Sequence, residues 1–249
     1  MILIGDIGNS NTKICLINSN YKIVKKIVLP SKKISKNLLS KKLNSIIGKN
    51  ILNKKSLFCS VVPSQFSMIK SLLKKKFKIH SIELKNLNLR KLINIKVNRK
   101  QIGSDRISNS IAVITKNKNY IVVDFGTATT FDVIIDKNYH GGVIAPGIDL
   151  SLKTLIRKAS LIPKINLKKM PKVIGKNTIT AVRSGFFWGY IGLINNIIKL
   201  IKKETGQTFK IIITGGFSNL FTKFLKSDFI IDKDVTIKGL IKSAKFFEL

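Results

Sequence analysis

The stretch IVVDFGTATTFDVII, residues 121–135, decides the fold of this chain. Apolar residues run into Asp124, a small hydroxyl-rich centre follows, and a second apolar run leads out. This pattern predicts two strands joined by a tight turn. A carboxylate with hydroxyls and flexible backbone nearby suits a phosphate and its cation. An ordinary hairpin with a polar turn explains the same residues, so the stretch alone leaves both interpretations open.

The chain begins with the same pattern. Residues 2–17, ILIGDIGNSNTKICLI, again place a carboxylate, Asp6, two residues before a glycine and a run of small polar residues. The rest of the chain does not continue this repeat. The hairpin is therefore a duplicated functional element, and the chain is not a solenoid array. We expect two hairpins that face each other across a cleft and hold a nucleoside triphosphate from both sides.

Strand and helix patterns alternate between the two hairpins. Residues 21–29 and 57–62 have strand patterns, while residues 35–47 and the stretch from Ser64 carry apolar residues at helical spacing. This alternation predicts an α/β layer fold. With 249 residues the chain forms one large domain or two small ones.

The net charge of +34 raises the possibility of nucleic-acid binding. Only five of the 46 basic residues are arginine, and the lysines are spread along the chain without a basic arm or interleaved aromatics. Compositional drift explains this better than a dedicated nucleic-acid function. We therefore expect no specific nucleic-acid partner, only adhesion to polyanions at low salt.

Other residue types exclude further classes. Cys15 and Cys59 lack metal-ligand spacing and are predicted to be core thiols of a reducing compartment. With two histidines the chain has no His-rich metal site, and it lacks the Walker and Rossmann phosphate-binding motifs. Neither a secretory signal nor a membrane-span pattern is evident, so we expect a cytoplasmic protein with no membrane partner.

Residues 102–114, IGSDRISNSIAVI, predict a helix with Asp105 and Arg106 in its first turn. A helix dipole or capping effect explains an acidic residue there. The functional interpretation is a general base held at a helix start, beside an arginine that binds an anionic substrate group.

Three later segments carry glycine motifs. GGVIAPG at 141–147 is predicted to form a fixed turn with close backbone approach, and TGG at 214–216 a strand-turn unit that lies against a nucleotide's base and ribose. Residues 174–185 lead into a long helix that ends near Lys203, with Asn177 or Thr178 as its cap. Within it, Gly185, Gly189 and Gly192 are expected to permit close approach of another helix or a ligand, and packing in the core is the favoured cause.

Six motifs occur in order: DIGNSNTK (6–13), GSDR (103–106), DFGTATT (124–130), GGVIAPG (141–147), IGKNT (174–178) and TGG (214–216). In this the sequence resembles the type III pantothenate kinases of the acetate/sugar kinase and actin superfamily. The resemblance implies an α/β fold of two RNase H-like, actin-like ATPase domains, each a mixed sheet flanked by helices, with the active site in the cleft between them. The expected domains are residues 1–115 and 116–249.

The same resemblance implies ATP-dependent phosphorylation of pantothenate, the first step of coenzyme A biosynthesis, with Mg²⁺, a monovalent cation (K⁺ or NH₄⁺) and a homodimer. It makes Asp105 the catalytic base and Asp124 the ligand of the monovalent cation. Pantothenate contacts are expected from Gly103, Ser104, Asp105, Arg106 and Thr178. ATP contacts are expected from Asp6, Ile7, Gly8, Asn9, Ser10, Asn11, Thr12, Lys13 and Thr127.

Four positions depart from the family pattern. Ser10 and Asn11 stand where a threonine and another residue are usual, which preserves the small polar character of the first turn. Lys96 and Arg99 stand where members often have a tyrosine and a proline, which puts one expected pantothenate contact in doubt. Two alternative functions stay open at this point: a non-catalytic regulator on the same scaffold, and a kinase or phosphatase of the superfamily that acts on another small molecule.

Overall fold

A computed structural model describes residues 1–47, 54–221, 224–225 and 228–249. By its internal contacts the chain divides into two compact units. The first consists of residues 1–114, 137–139 and 234–249, and the second of residues 115–136 and 140–233. The domains 1–115 and 116–249 stay a prediction.

The first unit is built on a five-stranded sheet in the order β3-β2-β1-β4-β5. The strands β1 and β2 form the predicted first hairpin, and β4 and β5 extend the sheet in parallel. The strands are β1 (Ile2–Ile7), β2 (Asn11–Ile17), β3 (Ile23–Pro30), β4 (Lys55–Ser60) and β5 (His80–Glu83).

Among the described residues, four α-helices belong to this unit: α1 (Lys36–Ile47), α2 (Pro63–Phe77), α3 (Ser104–Val113) and α7 (Val235–Phe246). One sheet face packs on α1 and α2 through buried residues such as Leu3, Phe58 and Leu73. Because strand side chains alternate, Ile4 and Asp6 lie on the other face. The closing helix α7 packs there on β1 and on α3, where the backbone of Ser108 leaves no room for a side chain at Gly239.

The second unit repeats this strand order. Its sheet runs β11-β10-β7-β8-β9, with an antiparallel β7–β8 hairpin and parallel β10 and β11 on the other side of β7. The strands are β7 (Tyr120–Phe125), β8 (Ala128–Ile135), β9 (Asn138–Pro146), β10 (Lys210–Gly215) and β11 (Phe229–Ile231), and the helices are α4 (Ile148–Lys158), α5 (Thr178–Thr205) and α6 (Ser218–Phe221). The predicted α/β class and the duplicated mixed sheets are thereby confirmed.

The core of this unit lies between the β7–β8 hairpin and α5. Ile121, Val123 and Phe131 pack against Phe187 and Ile194, all fully buried. The short strand β6 (Asn94–Ile95) pairs with Asn138 and Tyr139, the first residues of β9, which belong to the first unit.

Two predictions about glycines were wrong. Residues 141–146 do not turn but continue β9 as extended chain, and only Gly147, which precedes α4, makes the expected close approach. Gly185, Gly189 and Gly192 do not lie in the core: at each, a Cβ atom would meet no atom within 4 Å among the described residues. Asn177 caps α5 as predicted, with its side chain accepting from the amide of Thr180 at 2.9 Å.

Candidate active site

The turn between β1 and β2 is held by side chains behind it. The amide of Gly8 donates to the carbonyl of Asn11 at 3.0 Å, and the Ser31 hydroxyl donates to the carbonyl of Gly8 at 2.6 Å. The hydroxyls of Ser31 and Thr12 lie 3.0 Å apart, and the Gln65 amide donates to the Ser31 carbonyl at 2.8 Å. The turn therefore has a fixed shape before any ligand arrives.

The predicted ATP contacts in this hairpin face different ways. Asn9, Ser10 and Asn11 are exposed, whereas Ile7 and Thr12 are buried. Ile7 can thus offer a nucleotide only its backbone, and Thr12 supports the turn from inside. Lys13 lies opposite Asp6 in the strand register, which places an ammonium group and a carboxylate on the same face.

Asp6 has a neighbour that sequence reasoning missed. The thiol of Cys59, fully buried on the adjacent strand β4, donates to Oδ1 of Asp6 at 3.6 Å. Burial and the Asp6 carboxylate raise the pKa of the Cys59 thiol well above its ordinary value, so the thiol stays protonated. The carboxylates of Asp105 and Glu83 raise the pKa of this thiol further.

The GSDR motif starts α3. Gly103 is its N-cap, and the half-buried Asp105 lies in the first turn, with Oδ1 accepting from the amide of Arg106 at 2.8 Å. A Cβ atom at Gly103 would collide with that carboxylate oxygen. Burial raises the pKa of Asp105 above its ordinary value of 3.8, and the hydrogen bond from Arg106 and its guanidinium charge partly offset this rise. A carboxyl group with a raised pKa is suited to accept a proton.

Arg106 lies over the ring of Tyr139, with its guanidinium carbon 5.9 Å from the ring centre. Such cation–π contacts orient an arginine without neutralising it. Ser104, another of the predicted pantothenate contacts, is buried, and its hydroxyl donates to the carboxylate of Glu83. Ser104 thus reaches a substrate only through its backbone.

The β7–β8 hairpin carries the second set of predicted residues. Asp124 is half-buried at the end of β7, while Gly126 and Thr127 are exposed at the turn. The backbone of Thr127 packs against Gly147, and that of Phe125 packs against Gly215, so no side chain fits at either glycine. Both glycine motifs, at 141–147 and 214–216, therefore fix the backbone of this turn.

Asp124 and Thr130 are directly opposite each other in the register of this hairpin. The Thr130 hydroxyl is buried and has no hydrogen-bond partner within the described ranges. A carboxylate beside such a hydroxyl is an oxygen-rich setting that fits a cation. Thr178, the remaining predicted contact, is exposed at the first position of α5.

Among the residues that the structure describes, no group of three His, Cys, Asp or Glu side chains could hold a metal ion. Magnesium in phosphoryl-transfer sites is held by one or two carboxylates and by the phosphates of the nucleotide. Asp6, half-buried near the end of β1, is the carboxylate of the first hairpin whose chemistry fits a cation of this kind.

Glu83 is the further residue that sequence reasoning missed. It is one of only twelve acidic residues, yet it lies outside the glycine motifs, at the end of β5. Acidic residues are rare in this lysine-rich chain, and this rarity was the sequence signal that could have pointed to Glu83. Its partner Ser104 is 21 residues away in the sequence, and no local pattern connects the two.

Comparison with known proteins decides the family. A model of the type III pantothenate kinase family matches residues 2–200. The type III pantothenate kinase of Pelagibacter ubique (strain HTCC1062) is 61% identical over 246 residues, which cover 98% of each chain. This chain belongs to the type III pantothenate kinase family. The predicted family membership is thereby confirmed, and the kinase family makes the chain an enzyme.

The fold of this type III pantothenate kinase family member also occurs in solved structures. A Campylobacter jejuni protein named as a Baf family transcriptional activator has a TM-score of 0.64, with 22% identity and 99% coverage of each chain. A Sinorhizobium meliloti protein named as a 2-dehydro-3-deoxygalactonokinase has a TM-score of 0.61, with 11% identity and 99% coverage of each chain. At these identities the likeness shows the fold alone.

Among the helices of the described residues, none is both long and apolar enough to cross a membrane. Cys15 and Cys59 are buried free thiols, as predicted. Family membership does not test individual residues, so the roles given to Asp6, Asp105 and Asp124 stay predictions.

Proposed function

We propose that this chain transfers the γ-phosphoryl group of ATP to the primary hydroxyl of pantothenate. The product is 4′-phosphopantothenate, the first intermediate on the way to coenzyme A. The observation that carries this proposal is the 61% identity to a type III pantothenate kinase over 98% of each chain. A kinase family implies ATP as the phosphoryl donor, and magnesium accompanies ATP in such reactions.

The reaction is a direct in-line transfer. A bond forms between the pantothenate oxygen and the γ-phosphorus, the bond from that phosphorus to the ADP oxygen breaks, and the hydroxyl proton passes to the carboxylate of Asp105. Enzymes accelerate such transfers mainly by positioning the reactants and by neutralising the developing charge. The raised pKa of Asp105 supports its role as the proton acceptor.

Arg106 is proposed to bind the carboxylate of pantothenate, with Gly103, Ser104 and Thr178 as further contacts. Its guanidinium is oriented by Tyr139, and an arginine pairs well with a carboxylate. On the β1–β2 turn, Asp6 to Lys13 are proposed to bind the ATP phosphates, together with the exposed Thr127 of the second hairpin.

A monovalent cation, potassium or ammonium, is proposed to bind at Asp124. The register pairing with the buried hydroxyl of Thr130 supports an oxygen-lined position there. The cation would supply positive charge that stabilises the phosphates, while Asp124 holds it in place.

A homodimer is proposed through the exposed glycine face of α5, defined by Gly185, Gly189 and Gly192. Glycine in an exposed helix is unfavourable by about 1 kcal/mol relative to alanine. Three such positions with open space beside them suit close contact with a second copy of the chain. We also propose a cytoplasmic location, which the two free buried thiols support.

A coupled assay of ADP release across a panel of small alcohols and acids tests this function. Pantothenate is expected to stimulate ADP release strongly, and potassium to raise the rate relative to sodium. ADP release that responds to another acceptor and not to pantothenate would favour the alternative of a related small-molecule kinase. No ADP release with any acceptor would favour the regulator.

A further inference from the structure

The segment just before the GSDR motif is tied to the end of β5 by an unusual set of hydrogen bonds. The guanidinium of Arg99 donates to the backbone carbonyls of Lys85 and of Leu87, the latter at 2.8 Å. The ammonium group of Lys85 donates in the opposite direction, to the carbonyls of Lys100 at 3.2 Å and Ile102 at 2.9 Å. Each cation thus binds the backbone of the segment that carries the other.

Both side chains are half-buried, in contrast to their neighbours Arg90 and Lys91, which are exposed. Hydrogen bonds from a charged donor are shorter and stronger than those between neutral groups. Four of them join residues 85–87 to residues 99–102. These two cations therefore connect two segments of the backbone.

Glu83 extends the connection to the start of α3. One carboxylate oxygen accepts from the amide of Lys85 at 2.6 Å, and the other accepts from the hydroxyl of Ser104. Ser104 is the first residue of α3 and directly precedes Asp105. The carboxyl end of β5 is thus linked by side chains to both sides of Gly103.

We infer that Lys85 and Arg99 form a reciprocal clamp that positions Asp105 for proton transfer. The clamp is defined by these two side chains and the four carbonyls that they bind. This inference rests on the proposed function, because it concerns the geometry of the proposed base. The two cations touch neither substrate nor reacting atoms; they act through the backbone of residues 99–104.

Positioning matters here because Asp105 lies at the end of a loop. Residues 96–103 contain two turns closed by Asn98, whose carbonyl and side chain accept from the amides of Gln101 and Lys100, both at 3.0 Å. Without the clamp, this loop can shift and carry the first turn of α3 with it. A displacement of about 1 Å in a catalytic group can lower the rate by about 10²-fold.

The test compares Arg99→Ala and Lys85→Met with the matched controls Arg90→Ala and Lys91→Met. We expect the clamp variants to lose about 10- to 100-fold in kcat for pantothenate phosphorylation, with the KM for ATP nearly unchanged. The controls should keep the wild-type kcat. Arg99→Lys, which retains a charged donor on a shorter side chain, should have a kcat between those of Arg99→Ala and the wild type.

Thermal unfolding and active-site titration with a nucleotide separate positioning from general damage. A clamp variant that binds ATP normally and is fully folded, yet turns over slowly, supports the inference. A wild-type kcat per folded molecule in both truncations would overturn it. If the truncations do not fold, Arg99→Lys decides, and a wild-type kcat in that variant would overturn the inference as well.

The two proposals fail separately. If the wild-type protein phosphorylates an acceptor other than pantothenate, the proposed substrate is wrong, and the same comparison of kcat is made with that acceptor. If the wild-type protein phosphorylates pantothenate but the clamp variants match their controls, only the positioning role is wrong.

Discussion

At the scale of single residues, the proposed chemistry depends on one carboxyl group, that of Asp105. Asp105 is half-buried, and its burial raises its pKa. The same desolvation that makes it a better base makes its charged form unfavourable in the folded protein. Activity and stability therefore make opposite demands on this residue, as at many functional sites.

This conflict predicts how stability depends on pH. Because the folded-state pKa lies above 3.8, the folded protein binds more protons than the unfolded chain between the two values. The contribution of Asp105 to the free energy of unfolding therefore falls as pH rises through that window, and the loss is complete above it. We expect Asp105→Asn to be more stable than the wild type at pH 7.

Chemical denaturation of both proteins between pH 3.5 and pH 8 measures this difference, which follows from the linkage relation. The advantage of the variant should shrink towards the acid end of the range. A variant that is less stable than the wild type at pH 7 would contradict the assignment of a raised pKa.

Gly103 offers a second test at this scale. Its backbone angles, φ −63° and ψ 143°, are open to any residue, but an added Cβ would collide with the Asp105 carboxylate. We expect Gly103→Ala to fold normally and to lose about 10²-fold in kcat, because the carboxylate must move. Val113→Ala, which shortens a half-buried side chain at the far end of the same helix, serves as the control for damage to α3. A wild-type kcat in Gly103→Ala would show that the carboxylate position is not critical.

At the scale of elements, the hairpins were predictable and their supports were not. The β-branched runs around Asp6 and around Asp124 each predict two strands and a turn. Each prediction needs only about fifteen consecutive residues, so a local sequence pattern is enough. The supports come from far along the chain: Ser31 behind the first turn, Gly147 and Gly215 against the second, and Glu83 beside Ser104. Such pairs depend on tertiary packing, which no local pattern contains.

Two glycine motifs misled the sequence interpretation for a related reason. Glycine and proline at 141–147 are typical of turns, yet β9 is placed beside β8 and stays extended up to Pro146. In α5, glycines at helical spacing are typical of close packing, but no atom of the described residues lies within 4 Å of a Cβ atom added at any of the three. We propose that a second copy of the chain contacts the glycine face.

The proposed dimer predicts the effect of bulk on that face. Gly189→Leu should lower the dimer fraction in sedimentation equilibrium, because a partner packed against the glycine has no room for the side chain. Ser67→Leu, which adds the same side chain to an exposed position of α2, should not change it. An unchanged mass in Gly189→Leu, together with a stabilisation of about 1 kcal/mol in Gly189→Ala, would indicate a free helix face.

At the scale of the whole molecule, the dominant property is the net charge of +34, and the proposed reaction does not require it. Long-range attraction to polyanions follows from it, and it is screened by salt. We expect DNA of any sequence to bind at low salt and to dissociate by about 0.2 M salt, with kinase activity retained throughout. Fluorescence anisotropy with two unrelated duplexes measures this. Tight binding of one duplex only, at physiological salt, would support the regulator instead.

The central claim is that Asp105 accepts the pantothenate proton during transfer from ATP. The most direct measurement is the rate of 4′-phosphopantothenate formation, followed by mass spectrometry, for the wild type and Asp105→Asn at saturating ATP. We predict product from the wild type and a loss of about 10²–10⁴-fold in the variant, with ATP binding nearly intact. Product formation by Asp105→Asn at a rate close to that of the wild type would contradict the claim.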